Sequence, residues 1–191
     1  MSRWEPNARG RLEQAALDLY QERGFEQTTV MEIAERAGLT ERTFFRYFTD
    51  KREVLFGGQD ILREIYVRAI EAAPDVAAPI AAVAAALEAA TPVFRERHEL
   101  ARQRQAVIAA NPALQEREML KLTSLASAMA DALRRRGVTD PGASLAAEVG
   151  VIALKTAFAR WVSDPDKPDL SQFIRASLDQ LKGIIAGRPL D

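Results

Sequence analysis

The chain has 191 residues, no cysteine, one histidine and a net charge of −1. Those counts exclude disulfides, thiolate metal sites and a histidine-rich metal centre. A hydrophobic share of 48% argues against disorder, and the length can bury a core in one domain or two small ones.

No stretch reads as the ~20 apolar residues of a membrane span, and the opening Met1-Ser2-Arg3-Trp4-Glu5-Pro6 lacks a signal-peptide apolar run. A cytoplasmic location is expected. Residues 1–52 hold nine Lys/Arg and nine Asp/Glu. Any affinity of this stretch for nucleic acid must therefore come from how charge is arranged.

The helical period runs through nearly the whole chain. Leu12, Ala15, Ala16 and Leu19 form the stripe of a first helix that stops at Gly24. Thr29-x-x-Glu32 is a capping box for a second helix, whose inner face is Val30, Ile33, Ala34 and Ala37. Gly38 turns the chain, Leu39 plugs the gap and Thr40 caps a third helix. Phe44 and Phe48, four apart, point into a small three-helix core. Glu41, Arg42, Thr43, Phe45, Arg46 and Tyr47 are left to its flank and outer face. Two short helices joined by a tight turn, the second with a polar, aromatic and basic outer side, have the layout of a helix-turn-helix DNA reader.

Asp50-x-x-Glu53 is expected to open a fourth helix reaching about Ala73, with Leu62, Ile65, Tyr66, Ala69 and Ile70 as its stripe. Gly57-Gly58 near its start costs about 1 kcal/mol per glycine relative to alanine; a hinge and a close packing point are both open. An alanine-rich helix follows Pro79. A charged helix is expected from Pro92 to Ala110, where Asn111-Pro112 breaks it. Ala113–Arg136 reads as a long helix with Arg134-Arg135-Arg136 where the dipole favours positive charge and Gly137 as the stop. Further helices are expected from Pro141 to about Val162 and from Ser171 to Ala186. No strand signal appears. The fold class is all-α, about nine helices, with a reader at 1–52 and a helical body at 53–191.

Residues 8–56 resemble the DNA-binding domain of the TetR family of bacterial repressors. The resemblance rests on Ala15-Ala16-Leu17, Gly24-Phe25, Thr28-Thr29-Val30, Ile33-Ala34, Ala37-Gly38-Leu39, Thr43-Phe44-Phe45-x-Tyr47-Phe48 and Lys51. It implies DNA-contacting roles for Thr29, Thr40, Arg42, Thr43, Phe45, Tyr47 and Lys51, the last as a phosphate anchor. Arg42 is the best placed for direct readout, since a guanidinium grips guanine O6 and N7 together. Phe45 stands where the family usually has tyrosine and forgoes that hydroxyl's phosphate bond. Arg3, Arg9 and Arg11 are placed to add phosphate or minor-groove contacts.

In the body, the Pro141–Val162 helix has two apolar faces: Leu145, Val149, Ile152 and Thr156 on one, Val151, Leu154, Phe158 and Trp161 on the other. The last helix, with Leu170, Phe173, Ile174, Leu178, Leu181 and Ile185, is also wide enough for two neighbours. Pairing of these two helices with twofold mates as a four-helix bundle is expected, and the resemblance implies the same homodimer.

The resemblance also implies a pocket for a small-molecule effector between helices spanning about 60–162. Phe94, His98, Val107, Leu122, Leu125, Met129, Phe158 and Trp161 are candidates to line it. His98 by itself follows Arg95 and Arg97 and reads as solvated. Arg95, Arg97, Arg102 and Arg104 have the charge to receive an acidic ligand, but Glu96 and Glu99 interleave with them, and the cluster reads rather as a surface salt-bridge face. No nucleophile–base pair or phosphate-cradling glycine loop points to an enzyme, and no cofactor is implied. The expected function is a ligand-responsive transcriptional repressor on a palindromic operator. The alternative is a helix-turn-helix protein-interaction adaptor.

Overall fold

The structure, a computed structural model, describes residues 7–166 and 169–187. Among them nine α-helices form and no strand appears. The chain divides into two compact units: Met1–Gly58 with Leu100–Glu118, and Gln59–Glu99 with Met119–Asp191. This division does not coincide with the single boundary expected at 52/53. It falls after Gly57-Gly58, and the first unit takes in a second segment of chain from the sequence-distant body.

In the first unit, α1 (Ala8–Arg23) ends at Gly24, whose φ of 86° few side chains tolerate. α2 (Val30–Arg36) carries the full capping box: Glu32 N–H donates to Thr29 Oγ1 and Thr29 N–H to the Glu32 carboxylate. It ends with Leu39 N–H donating to Ala34 C=O at 2.8 Å around the left-handed Gly38, the glycine-closed arrangement that satisfies the last carbonyls. α3 (Glu41–Tyr47) starts on the Thr40 cap. Leu12, Ile33 and Phe44 are fully buried, with Phe48 and Phe25 beside them.

The fourth helix differs from expectation. Glu53–Phe56 is a single 3-10 turn, and α4 (Gln59–Glu71) begins only after the two glycines. Gly57 is a close packing point. Its carbonyl accepts from Arg9 Nη2, and a Cβ there would lie 2.5 Å from that nitrogen and 3.0 Å from the Phe48 ring. Gly58 has open space around it.

The second unit contains α4, α5 (Pro79–Ala89), α8 (Gly142–Ser163) and α9 (Leu170–Ile185). α6 (His98–Ala109) and α7 (Pro112–Arg135) each contribute one end to each unit. The expected helix from Pro92 is split: Thr91–Phe94 is a 3-10 turn and α6 opens at His98. Where α5, α7 and α8 meet, Gly150 lets Val83 and Met129 approach its backbone, and a Cβ would collide with Val83 Cγ1. Arg135 pairs with Glu71 at 2.7 Å and Arg136 donates to the Pro74 carbonyl at 2.6 Å, tying the end of α7 to the end of α4.

Contrary to the reading that no stretch could span a membrane, Gly142–Ser163 is long and apolar enough by length and composition, with a mean hydropathy of 1.4 in its best window. One of its sides, including Ala147, Val151, Leu154 and Trp161, is buried within the unit.

Candidate nucleic-acid interface and effector cavity

The reader's outer surface follows from how α3 is held. Phe44 points inward with no exposure, Phe48 is buried, and Phe45 sits edge-on to Phe44 at 5.5 Å with 54% of its surface exposed. Tyr47 is also exposed, and Arg46 donates to its hydroxyl at 3.0 Å while lying over its ring. Arg42 is exposed and makes no hydrogen bond or ion pair among the described residues. Thr40 caps the helix and its Oγ1 lies 3.1 Å from that of half-buried Thr43. Thr40, Arg42, Thr43, Phe45 and Tyr47 thus share one short helix and its cap, and Thr29 caps the helix before it.

Much of the reader's charge is already used. Arg36 grips Glu22 with two hydrogen bonds of 2.9 and 2.8 Å, and Arg23 pairs with Glu32 at 2.8 Å. The Thr29 amide, then its hydroxyl, hold the Glu32 carboxyl below the usual range, and the Arg36 guanidinium does the same for Glu22. These pairs brace α1 against α2 and are exposed, so solvent and salt screen them and they contribute little to stability. They leave Arg42 as a cation free to meet a ligand.

Lys51 changes role. Its ammonium donates to the carbonyls of Phe25, Glu26 and Thr28 at 2.8, 3.2 and 3.0 Å and lies over the Phe25 ring. An ammonium has three N–H donors, and all three are committed within the unit, so Lys51 is a strut for the α1–α2 loop rather than a free phosphate anchor. Its own carbonyl accepts from the Tyr20 hydroxyl at 2.6 Å, and burial, with the Asp50 charge, pushes that phenol's pKa up. Arg9 and Arg11 are likewise occupied, by Gly57 C=O with Glu13 and by Ala37 C=O. Arg3 lies outside the described residues.

Sequence reasoning missed the other half of the reader's support. Val107, Ile108 and Leu114, from α6 and α7, belong to the same core cluster as Leu12 and Phe44. Val107 is therefore reader core and not a pocket residue. Arg104 donates to Leu55 C=O at 2.5 Å and to Glu118, stacks on Phe56, and has its guanidinium pKa lowered by burial against the Glu118 charge. It is not part of a surface salt-bridge face. Arg117 pairs with Glu53 at 2.6 Å, and Asn111 both caps α7 and donates to Glu26 at 3.1 Å.

The second unit holds a cavity of about 430 Å³. Its apolar wall is Phe94, Trp161 and Leu170, backed by Phe158, whose ring lies 5.8 Å from Phe94 and 5.5 Å from Trp161. Arg95, Glu96, Glu99 and Asp169 form the polar rim. His98 is buried, not solvated. Its Nε2 lies 2.9 Å from the Trp161 carbonyl and its ring is edge-on to the indole at 4.7 Å. Of the pocket candidates, Phe94, His98, Phe158 and Trp161 form one aromatic group. Met129 is fully buried against Gly150 instead, and Leu125 is half-buried away from the lining. Asp169 caps α9 through Ser171 N–H, which holds its carboxyl below the usual range. The sequence carried no signal that this loop residue would reach the same cavity as His98.

Residues 13–56 match the family model described as bacterial regulatory proteins, tetR family, and residues 77–186 match the one described as MftR C-terminal domain. A segment of 81 residues is 37% identical to the HTH-type transcriptional regulator TcmR of Streptomyces glaucescens, covering 42% of this chain and 36% of TcmR's length. Two solved structures share the fold. The SmeT–triclosan complex has a TM-score of 0.60 at 21% identity, over 91% of this chain and 88% of SmeT. FadR of Bacillus subtilis with stearoyl-CoA has 0.60 at 20%, over 90% and 96%. The second matched segment alone spans more than half of the 191 residues. With the exposed α3 face in front of it, the conclusion is that this chain belongs to the TetR family of bacterial transcriptional regulators, which are transcription factors and not enzymes.

Proposed function

We propose that the protein is a cytoplasmic, ligand-responsive repressor that binds a palindromic operator as a homodimer. The observation that carries the DNA reading is the α3 surface: Arg42, Phe45, Arg46 and Tyr47 lie outward on a helix pinned from beneath by Phe44 and Phe48. Lying in a major groove, such a helix offers a guanidinium for guanine and an aromatic edge for thymine methyls. The near-zero charge of the reader is offset by using two copies.

The dimer is supported by an apolar face left open on one chain. Leu145 and Ile152 of α8 are 61% and 51% exposed, with half-buried Val149 between them, and α9 adds exposed Ile184 and Ile185. Two such faces closing together put four helices in one bundle. Two readers spaced about 34–36 Å apart then meet successive major grooves.

Ligand control is supported by α6. His98 and Glu99 at its start line the cavity, and Arg104, Val107 and Ile108 further along belong to the reader unit. A ligand that favours one setting of α6 shifts the population of reader arrangements. A tenfold loss of operator affinity needs about 1.4 kcal/mol of such coupling.

Two substitutions test this. Arg42→Ala is expected to relax base preference at one position per half-site, at a cost of about 1–3 kcal/mol, read by selecting bound fragments from random duplexes. Unchanged selection would remove Arg42 from the interface. Ile152→Glu is expected to give monomers by sedimentation and to lose operator binding at concentrations where the parent is saturated. A monomeric parent, or a parent whose retention on duplex does not fall as salt rises, would favour the adaptor reading instead.

A further inference from the structure

Resting on the reading of α3 as the DNA-facing helix, we infer that Arg46 and Tyr47 act as one unit, a preformed donor clamp for a backbone phosphate of duplex DNA, while Arg42 reads bases. Three features of the reader converge on that division of labour.

The first is how the pair is built. Arg46 Nη2 donates to the Tyr47 hydroxyl at 3.0 Å, and the guanidinium carbon lies 4.9 Å from the centroid of that ring. A guanidinium only donates, so the phenol oxygen is the acceptor in this bond. The hydroxyl's own proton therefore points away from Arg46, and no group among the described residues takes it. The remaining guanidinium N–H groups and this O–H are all donors, and they sit side by side. A phosphodiester offers only acceptors, and charge-assisted bonds to it are the stronger kind. Stacking on the ring also holds a long side chain in place before a ligand arrives, which lowers the entropy lost on binding.

The second is uncompensated charge. Nearby cations are already matched: Arg36 by Glu22, Arg52 by Asp50, and Lys51 by three carbonyls. Arg46 meets only a neutral hydroxyl and its ring, and Arg42 makes no hydrogen bond or ion pair among the described residues. The two arginines are four apart on α3, hence neighbours on one face of the helix, where like charges repel. Both are exposed, as is Tyr47. An anion lying along that face relieves the repulsion.

The third is position. A helix-turn-helix reader aims the N-terminal residues of its second helix at base edges. Arg42 stands in the first turn of α3, and Arg46 and Tyr47 in the last. The closing carbonyls of a helix carry partial negative charge, so a phosphate near that end needs a cation beside it. Arg46 supplies one.

The test uses the full chain and a labelled pool of duplexes of random sequence, titrated at several salt concentrations and followed by anisotropy. Arg46→Gln is expected to weaken binding about tenfold and to lower the log–log salt slope by about 0.9 per reader. Arg46→Lys is expected to keep the slope but bind less tightly than the parent, since an ammonium lacks the fork that spans hydroxyl and phosphate. Tyr47→Phe is expected to weaken the parent about fivefold and the Arg46→Gln variant less than about twofold, because the two side chains act together. Bases selected from the pool stay those of the parent in all three variants, whereas Arg42→Ala changes them. The slope does not depend on the folded fraction, so a variant that folds less well still gives an answer.

An unaltered slope for Arg46→Gln overturns the clamp and leaves the DNA reading intact. A loss from Tyr47→Phe that is the same with and without Arg46 does so too. A changed base selection for Arg46→Gln makes Arg46 a reader of sequence and likewise overturns it. If the parent is not retained on duplex even at low salt, the DNA reading itself falls and takes the clamp with it.

Discussion

Replacing Lys51 by alanine is expected to destabilise the reader by about 2–3 kcal/mol, because a hydrogen bond to a charged group contributes about 1.5–3 kcal/mol and water reaches part of this site. The substitution leaves the carbonyls of Phe25, Glu26 and Thr28 without their shared donor and removes the cation from the Phe25 ring. Denaturant unfolding and amide exchange of residues 25–29 measure the effect. Exchange there should accelerate before that of α1, since the loop loses its strut while Leu12 and Ile33 stay packed.

The same variant separates two roles that operator affinity alone would confuse. A lysine that neutralises a phosphate releases counterions, and its loss lowers the log–log salt slope by about 0.9. A lysine whose three donors are spent inside the fold changes the folded fraction and leaves the slope where it was. Lys51→Ala is therefore expected to weaken binding with an unaltered slope, recovering when the fold is stabilised at lower temperature or by osmolyte. Full stability with a reduced slope would restore the phosphate-anchor role.

Local rules carried the sequence reading a long way where the partners are local. The Thr29–Glu32 box, the Gly38 turn, the Thr40 cap and the inward Phe44–Phe48 pair all depend on residues within four positions of each other, and each is present. What the sequence hid was set by distant acceptors. His98 sits among charged neighbours and looks solvated, yet a carbonyl 63 residues away pulls it under Trp161. Lys51 and Arg9 look like free cations, but backbone carbonyls, which every sequence has and no motif marks, occupy them. The continuous fourth helix failed for a different reason. An apolar stripe says that a segment can be helical, and Gly57 instead serves a contact with Arg9 and Phe48 that a side chain would block.

The largest effect on the reader should come from outside its apparent sequence limits. Ile108 lies more than fifty residues beyond the last residue of α3, yet it is fully buried in the cluster that contains Leu12, Ile33 and Phe44. Trimming a buried isoleucine to alanine costs about 2–5 kcal/mol through lost burial and the cavity left behind. For a small unit whose total stability is of order 5–15 kcal/mol, Ile108→Ala is expected to lower operator affinity sharply although no atom of it faces DNA. Leu87→Ala is the matched control, since Leu87 is equally buried but belongs to the second unit. Amide exchange should rise in α1 and α3 for the first variant and in α5 and α8 for the second. If Ile108→Ala instead left α1 and α3 as protected as in the parent, residues 1–58 would be folding on their own. The α6 and α7 segments would then be passengers, and the coupling assigned to α6 would have no physical carrier.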